Sequence, residues 1–178
     1  WGKYNKSCEN HKLALEILVT MDDSINQAVY MHNLATSYKN LKQHEEAIHY
    51  YSKSLKIKQE YENRPMQATT FAQLGQVYHQ IGKYTQALSH LKKALAIFQD
   101  YGYDYMSNKA LIVIAEIYVH LGFYDKAEEL ILDAKDRLEE FEEPVIIGHV
   151  GVYQGIIEFN KSNVQKPKNS QNVKFKFK

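Results

Sequence analysis

Along this chain, large apolar, small and polar positions recur every 40 residues. Three segments superpose: Asn33-Leu34-Ala35-Thr36-Ser37-Tyr38, Gln73-Leu74-Gly75-Gln76-Val77-Tyr78 and Val113-Ile114-Ala115-Glu116-Ile117-Tyr118. Downstream of each lies a second matched set, Ala47/Tyr51/Ser54, Ala87/Leu91/Ala94 and Ala127/Ile131/Ala134, again 40 apart. Within each set the spacing is that of one face of an α-helix, and the small residues let two such faces approach closely. Between the sets stand Lys42-Gln43-His44, Gly82-Lys83-Tyr84 and Gly122-Phe123-Tyr124. A glycine there can take the left-handed conformation that stops a helix, with the following aromatic packed under the turn. Each unit is therefore predicted to be a helical hairpin.

Projecting the period outward predicts the ends. Gly2-Lys3-Tyr4 matches Gly82-Lys83-Tyr84, and Ala14 matches Ala94, so the chain opens on the second helix of a unit. Because it begins at Trp1 without an initiator Met and in mid-repeat, the chain is expected to be a piece of a longer protein. Pro144 starts a further helix, expected to end near Asn160. The expected organisation is a repeat domain over 1–160, made of a partial repeat 1–27, repeats 28–67, 68–107 and 108–147, and a partial repeat 148–160. Residues 161–178 hold Pro167, six lysines and no 3.6-residue periodicity, and read as a disordered tail.

These signatures resemble the tetratricopeptide repeat family, whose first helix carries a large residue, Leu, a small residue and Tyr, and whose second carries Ala, an aromatic and Ala. The resemblance covers about nine tenths of the chain and implies an all-α fold, a right-handed α-α superhelix or solenoid of helical hairpins. The family period is ~34 residues. Here about six more are expected to extend the second helices or the links, as in Ile57 to Arg64, and the Pro that often closes a unit is absent.

In this family the first helices line a concave groove that binds a peptide or protein segment. Carrying its groove positions over gives His32, Asn33, Thr36 and Lys39 in the first unit, and Gln73, Gln76 and His79 in the second. Lys109, Ile112, Glu116 and His120 follow in the third, and Val152 and Ile156 in the last helix. The first half is polar, suited to peptide amides, and the second more apolar, suited to hydrophobic anchors. Alternatively, Ile112, Val113, Ile156 and Phe159 bury a following helix. His32, Thr36 and Val113 stand where a chaperone-type carboxylate clamp needs charged or amide groups, so that clamp is not expected.

The unit length and Ala28-Val29-Tyr30-Met31-His32-Asn33-Leu34-Ala35 look like the repeats of Gram-positive peptide-sensing regulators, the group of Rap phosphatases and PlcR- and NprR-type transcription factors. That resemblance implies quorum sensing in the cytoplasm. Asn33 would hold the backbone of a re-imported signalling peptide, since an amide side chain both donates and accepts. The group's DNA-binding and response-regulator modules would lie before Trp1. The competing expectation is a scaffold or adaptor that assembles proteins without peptide control.

Composition narrows the chemistry. Of 22 basic and 21 acidic residues, the last 18 positions hold six lysines and no acid, which leaves 1–160 mildly acidic and argues against nucleic-acid binding by the repeats. The single Cys8 cannot form an internal disulfide, and no apolar run approaches the ~20 residues of a membrane span. The eight histidines lack metal-ligand spacing, and no phosphate loop, nucleophile elbow or paired-cysteine motif occurs, so neither catalysis nor a metal or other cofactor is expected. The acidic run Asp136, Glu139, Glu140, Glu142 and Glu143 reads as a solvated helix end or a docking patch for a basic partner. Tyr38, Tyr78 and Tyr118 are packing positions, expected to be buried. Apolar faces at both end helices predict self-association into a homo-oligomer.

Overall fold

The computed structural model describes residues 2–138 and 144–164, and everything described is helix or tight turn. The helices are α1 (Gly2–Thr20), α2 (Ser24–Asn40), α3 (His44–Glu60), α4 (Arg64–Gln80), α5 (Tyr84–Asp100), α6 (Asp104–His120), α7 (Tyr124–Leu138) and α8 (Pro144–Val164). Each packs antiparallel on the next, and the inner row α2, α4, α6, α8 also meets neighbour to neighbour. This is a helical-hairpin solenoid.

The period divides evenly. Helices α2 to α6 each have 17 residues, and the links between them have three, so every helix plus link occupies 20. The residues beyond the usual repeat length therefore sit inside the helices, not in the links. Each link contains one residue with positive φ, at Asp22, Lys42, Glu62, Gly82, Gly102 and Gly122. There the chain reverses through a fixed pair of backbone bonds, such as Gly82 N–H to His79 O and Lys83 N–H to Tyr78 O, both 2.9 Å. These satisfy carbonyls that the helix end would leave unpaired. At the start of α2 and α4, Asp23 and Asn63 accept from the amides of Asn26 and Met66 at 3.0 and 3.1 Å.

The hairpins run 24–60, 64–100 and 104–138, so the boundaries placed at 28, 68 and 108 fall inside α2, α4 and α6. Helix α8 continues past Asn160 to Val164, which makes the first residues of the lysine-rich stretch helical, and residues 165–178 lie outside the described residues. The acidic run from Asp136 to Glu143 falls on side chains outside them too. Ala35, Ala47, Ala87, Ala94, Ala115 and Ala127 are fully buried where paired helices touch. Tyr38 is buried as expected, whereas Tyr78 and Tyr118 are partly buried. No described helix is long and apolar enough to cross a membrane.

Candidate functional site: the inner face of the first helices

Because α2, α4, α6 and α8 are the first helices of successive units, their inward side chains form one continuous strip. At the α2/α4 crossing this strip is already a hydrogen-bonded network. Thr70 Oγ1 donates to Met66 O at 3.1 Å, accepts from Lys58 Nζ at 2.8 Å, and lies 3.1 Å from His32 Nδ1. With its one proton committed to the carbonyl, Thr70 can only accept from the ring, which places the His32 proton on Nδ1. Burial first, then Lys58 and Lys39, pull the His32 pKa down to about 4, so the ring is neutral at pH 7. Thr36 Oγ1 donates to His32 O at 3.0 Å and accepts from the buried Tyr51 hydroxyl at 2.8 Å. The Tyr51 ring meets the His32 ring edge-on, with centroids 5.1 Å apart.

Next along the strip, Lys39 Nζ on α2 donates to Gln73 Oε1 and, at 3.2 Å, to Gln76 Oε1 on α4. Its pKa is lowered by burial, then by Lys109 and Lys42. Lys109 itself is exposed, with its amine 5.2 Å from the centre of the Tyr105 ring. Between α4 and α6, His79 Nε2 lies 3.9 Å from Glu116 Oε1, and its ring stands edge-on to His120 at 5.5 Å. Burial lowers the His79 pKa, Glu116 works against that shift, and His120 adds to it. His120 Nδ1 sits 2.9 Å from the Glu116 carbonyl, which can only accept, so that nitrogen carries the proton. Tyr153 on α8 hydrogen-bonds the Glu116 carboxylate, its pKa raised first by burial and then by that acid. A polar chain thus links all four first helices.

The predicted groove residues divide into three groups. His32, Thr36, Lys39, Gln73, Gln76, His79, Glu116 and His120 are brought together but largely satisfy one another. Asn33, Lys109, Val152 and Ile156 are exposed, and among the described residues the Asn33 amide finds no hydrogen-bond partner. Ile112 is only 6% exposed and packs in the core with Ala115, Val150 and Ile157, so α8 rather than a ligand covers it. Sequence reasoning missed Lys58 and Thr70 and read Tyr51 only as a packing position of the repeat, whereas Tyr153 lies on the groove face expected of the last helix. One signal could have found Lys58: its partner 40 residues on is Phe98, a buried core residue.

The sequence model of the tetratricopeptide repeat matches residues 2–60 and 28–100, together more than half of the chain. The chain belongs to the tetratricopeptide repeat family. Among curated proteins, none matches it. Among solved structures, this tetratricopeptide repeat chain resembles aspartyl phosphate phosphatase F from Bacillus subtilis, with 20% identity and a TM-score of 0.78 over 91% of this chain and 46% of that one. A Rap protein complexed with competence and sporulation factor also matches at 20% identity and a TM-score of 0.75, covering 90% of this chain and 48% of that one. BtubC from P. vanneervenii matches at 26% identity and a TM-score of 0.72, over 79% of this chain and 59% of that one. The repeat chain therefore spans about half the length of these structures.

Proposed function

We propose that this chain is the ligand-binding part of a cytoplasmic, peptide-responsive bacterial regulator, holding an extended peptide along the inner faces of α2, α4, α6 and α8. The observation that carries this reading is Asn33: an exposed amide that hydrogen-bonds to no described residue, beside a strip whose other polar groups largely engage one another. An unengaged amide on a pre-ordered surface can donate to one peptide carbonyl and accept from one peptide N–H without further rearrangement. Lys109 offers an exposed charge on α6, and Val152 and Ile156 supply apolar anchoring surface on α8. The likeness in fold to a Rap protein solved in complex with competence and sporulation factor supports the reading of this chain as a ligand-binding part.

Thermal unfolding in the presence of pooled short peptides from the source organism tests this. A peptide held by the folded state alone stabilises it by about 2.7 kcal/mol at a hundredfold excess over its dissociation constant. The shift is expected to disappear in Asn33→Ala. If no peptide raises the midpoint, or if Asn33→Ala responds like the parent protein, the scaffold reading replaces this one. The aromatic side chains exposed along one edge of the stack favour that second reading.

A further inference from the structure

The 20-residue half-period sorts the turns onto two opposite edges. Turns leading from a second helix into the next first helix share one edge, and the ion pair between Arg64 Nη2 and Asp100 Oδ2, at 3.0 Å, ties two of them side by side. Five-residue windows centred on the left-handed residues of this edge (20–24, 60–64 and 100–104) hold Asp22, Asp23, Glu60, Glu62, Asp100 and Asp104 against one base, Arg64. The matching windows on the other edge (40–44, 80–84 and 120–124) hold Lys42 and Lys83 and no acid. One edge is acidic and the other mildly basic.

The acidic edge is also aromatic and concave. Gly102, at φ +67°, reverses the chain so that Tyr101 and Tyr103 stack at 6.1 Å while remaining 46% and 44% exposed. Beside Tyr103 a niche of about 440 Å³ is lined by Thr69, Phe98, Tyr103, Asp104, Tyr105 and Met106, almost wholly through apolar atoms. A smaller niche of about 110 Å³ opens at the corresponding place one repeat earlier, beside Ile25, Tyr61 and Met66. Exposed aromatics around a preformed apolar hollow are the make-up of interaction hot spots. The acids on the rim specify the charge of what fits there.

We propose that this edge is a second docking surface, on which a basic polypeptide segment seats an aromatic side chain in the niche beside Tyr103 and Met106 while its lysines or arginines face Asp104 and Glu62. The surface is separate from the inner strip and stands whether or not a peptide binds there. Apolar insertion supplies the affinity, and the rim charges supply orientation and a dependence on salt.

A blocked Lys-Gly-Lys-Phe-Lys-Gly-Lys peptide, titrated into the full chain by fluorescence anisotropy and amide chemical-shift mapping, tests the proposal. The expected shifts concentrate on residues 98–106 and 61–66. Tyr103→Ser, a half-exposed position whose variant can be checked by its melting curve, is expected to weaken binding about fivefold or more. Replacing Phe by Ser in the peptide should weaken it likewise, and replacing Lys by Glu should abolish it. Absence of binding at millimolar peptide, shifts confined to the inner faces of α2, α4 and α6, or equal affinity of Tyr103→Ser and the parent protein would each overturn it.

Discussion

Lys58 is 4% exposed and donates to a neutral hydroxyl, and no described carboxylate forms an ion pair with it. Burial pulls its pKa from 10.5 down to about 8. The unfolded chain therefore holds this proton more tightly than the folded one, so stability rises with pH between about 8 and 10.5. His32 shows the same sign lower down: its share of stability is complete above 6.5 and declines as pH falls toward about 4. Lys58→Met replaces a buried ammonium by an apolar side chain of similar length and leaves Thr70 bonded to Met66 and His32. Urea unfolding at pH 7 is expected to show a gain of about 1–3 kcal/mol, with the alkaline rise between 8 and 10.5 reduced to what Lys39 contributes. A loss of stability instead would mean that Lys58 meets a compensating group. At this scale the sequence was only partly legible. The exposure of Asn33 follows from its helix face alone, whereas Thr36 is engaged by Tyr51 on α3 and His32 by Thr70 on α4, which Lys58 holds in turn.

Between elements, the close approach of α4 and α5 turns on one missing methyl group. A Cβ built at Gly75 would lie 2.5 Å from Leu91 Cγ and 3.3 Å from Ala87 O. Alanine is the better helix former by about 1 kcal/mol, yet overpacking costs about 1–3 kcal/mol. Gly75→Ala is therefore expected to lower the urea midpoint, and shortening Leu91 to Ala in that background should cost less than in the parent protein. Equal costs would show that the two positions do not compete for the same space. Turns give a prediction of opposite sign. Lys42 and Glu62 hold φ of 63° and 53°, a region where a Cβ is disfavoured and glycine is not. Lys42→Gly and Glu62→Gly should each stabilise by about 0.5–1 kcal/mol, read as a higher melting midpoint, and an unchanged or lower one would show that their turns carry no such strain. The helix ends at Gly82 and Gly122 were legible because glycine advertises this conformation. The turn at Lys42 could be placed only by its register with Gly82, and those at Asp22 and Glu62 carry no glycine to mark them, which is why the extra residues of the period were expected in the second helices or the links rather than shared by both helices.

For the whole molecule, neighbour-to-neighbour packing means that local openings along the stack are set mainly by adjacent helices. The solenoid itself was readable because a 40-residue period leaves few other architectures. How the inner strip couples its units was not readable, because Lys39 with Gln73 and Gln76, and His79 with Glu116, His120 and Tyr153, are pairings between units. A ligand lying along that strip adds contacts to α2, α4, α6 and α8 together, and should raise the opening free energy of all four at once. A ligand on the acidic edge touches only the turns around 61–66 and 98–106 and the helix ends beside them. Native-state hydrogen exchange separates the two. A groove peptide is expected to slow exchange through the middle of α2, α4 and α6 by a common factor, with a smaller effect on α3 and α5. Slowing confined to one helix pair would mean that the ligand does not span the strip and that the units respond independently, which would remove the physical basis for signalling along the stack.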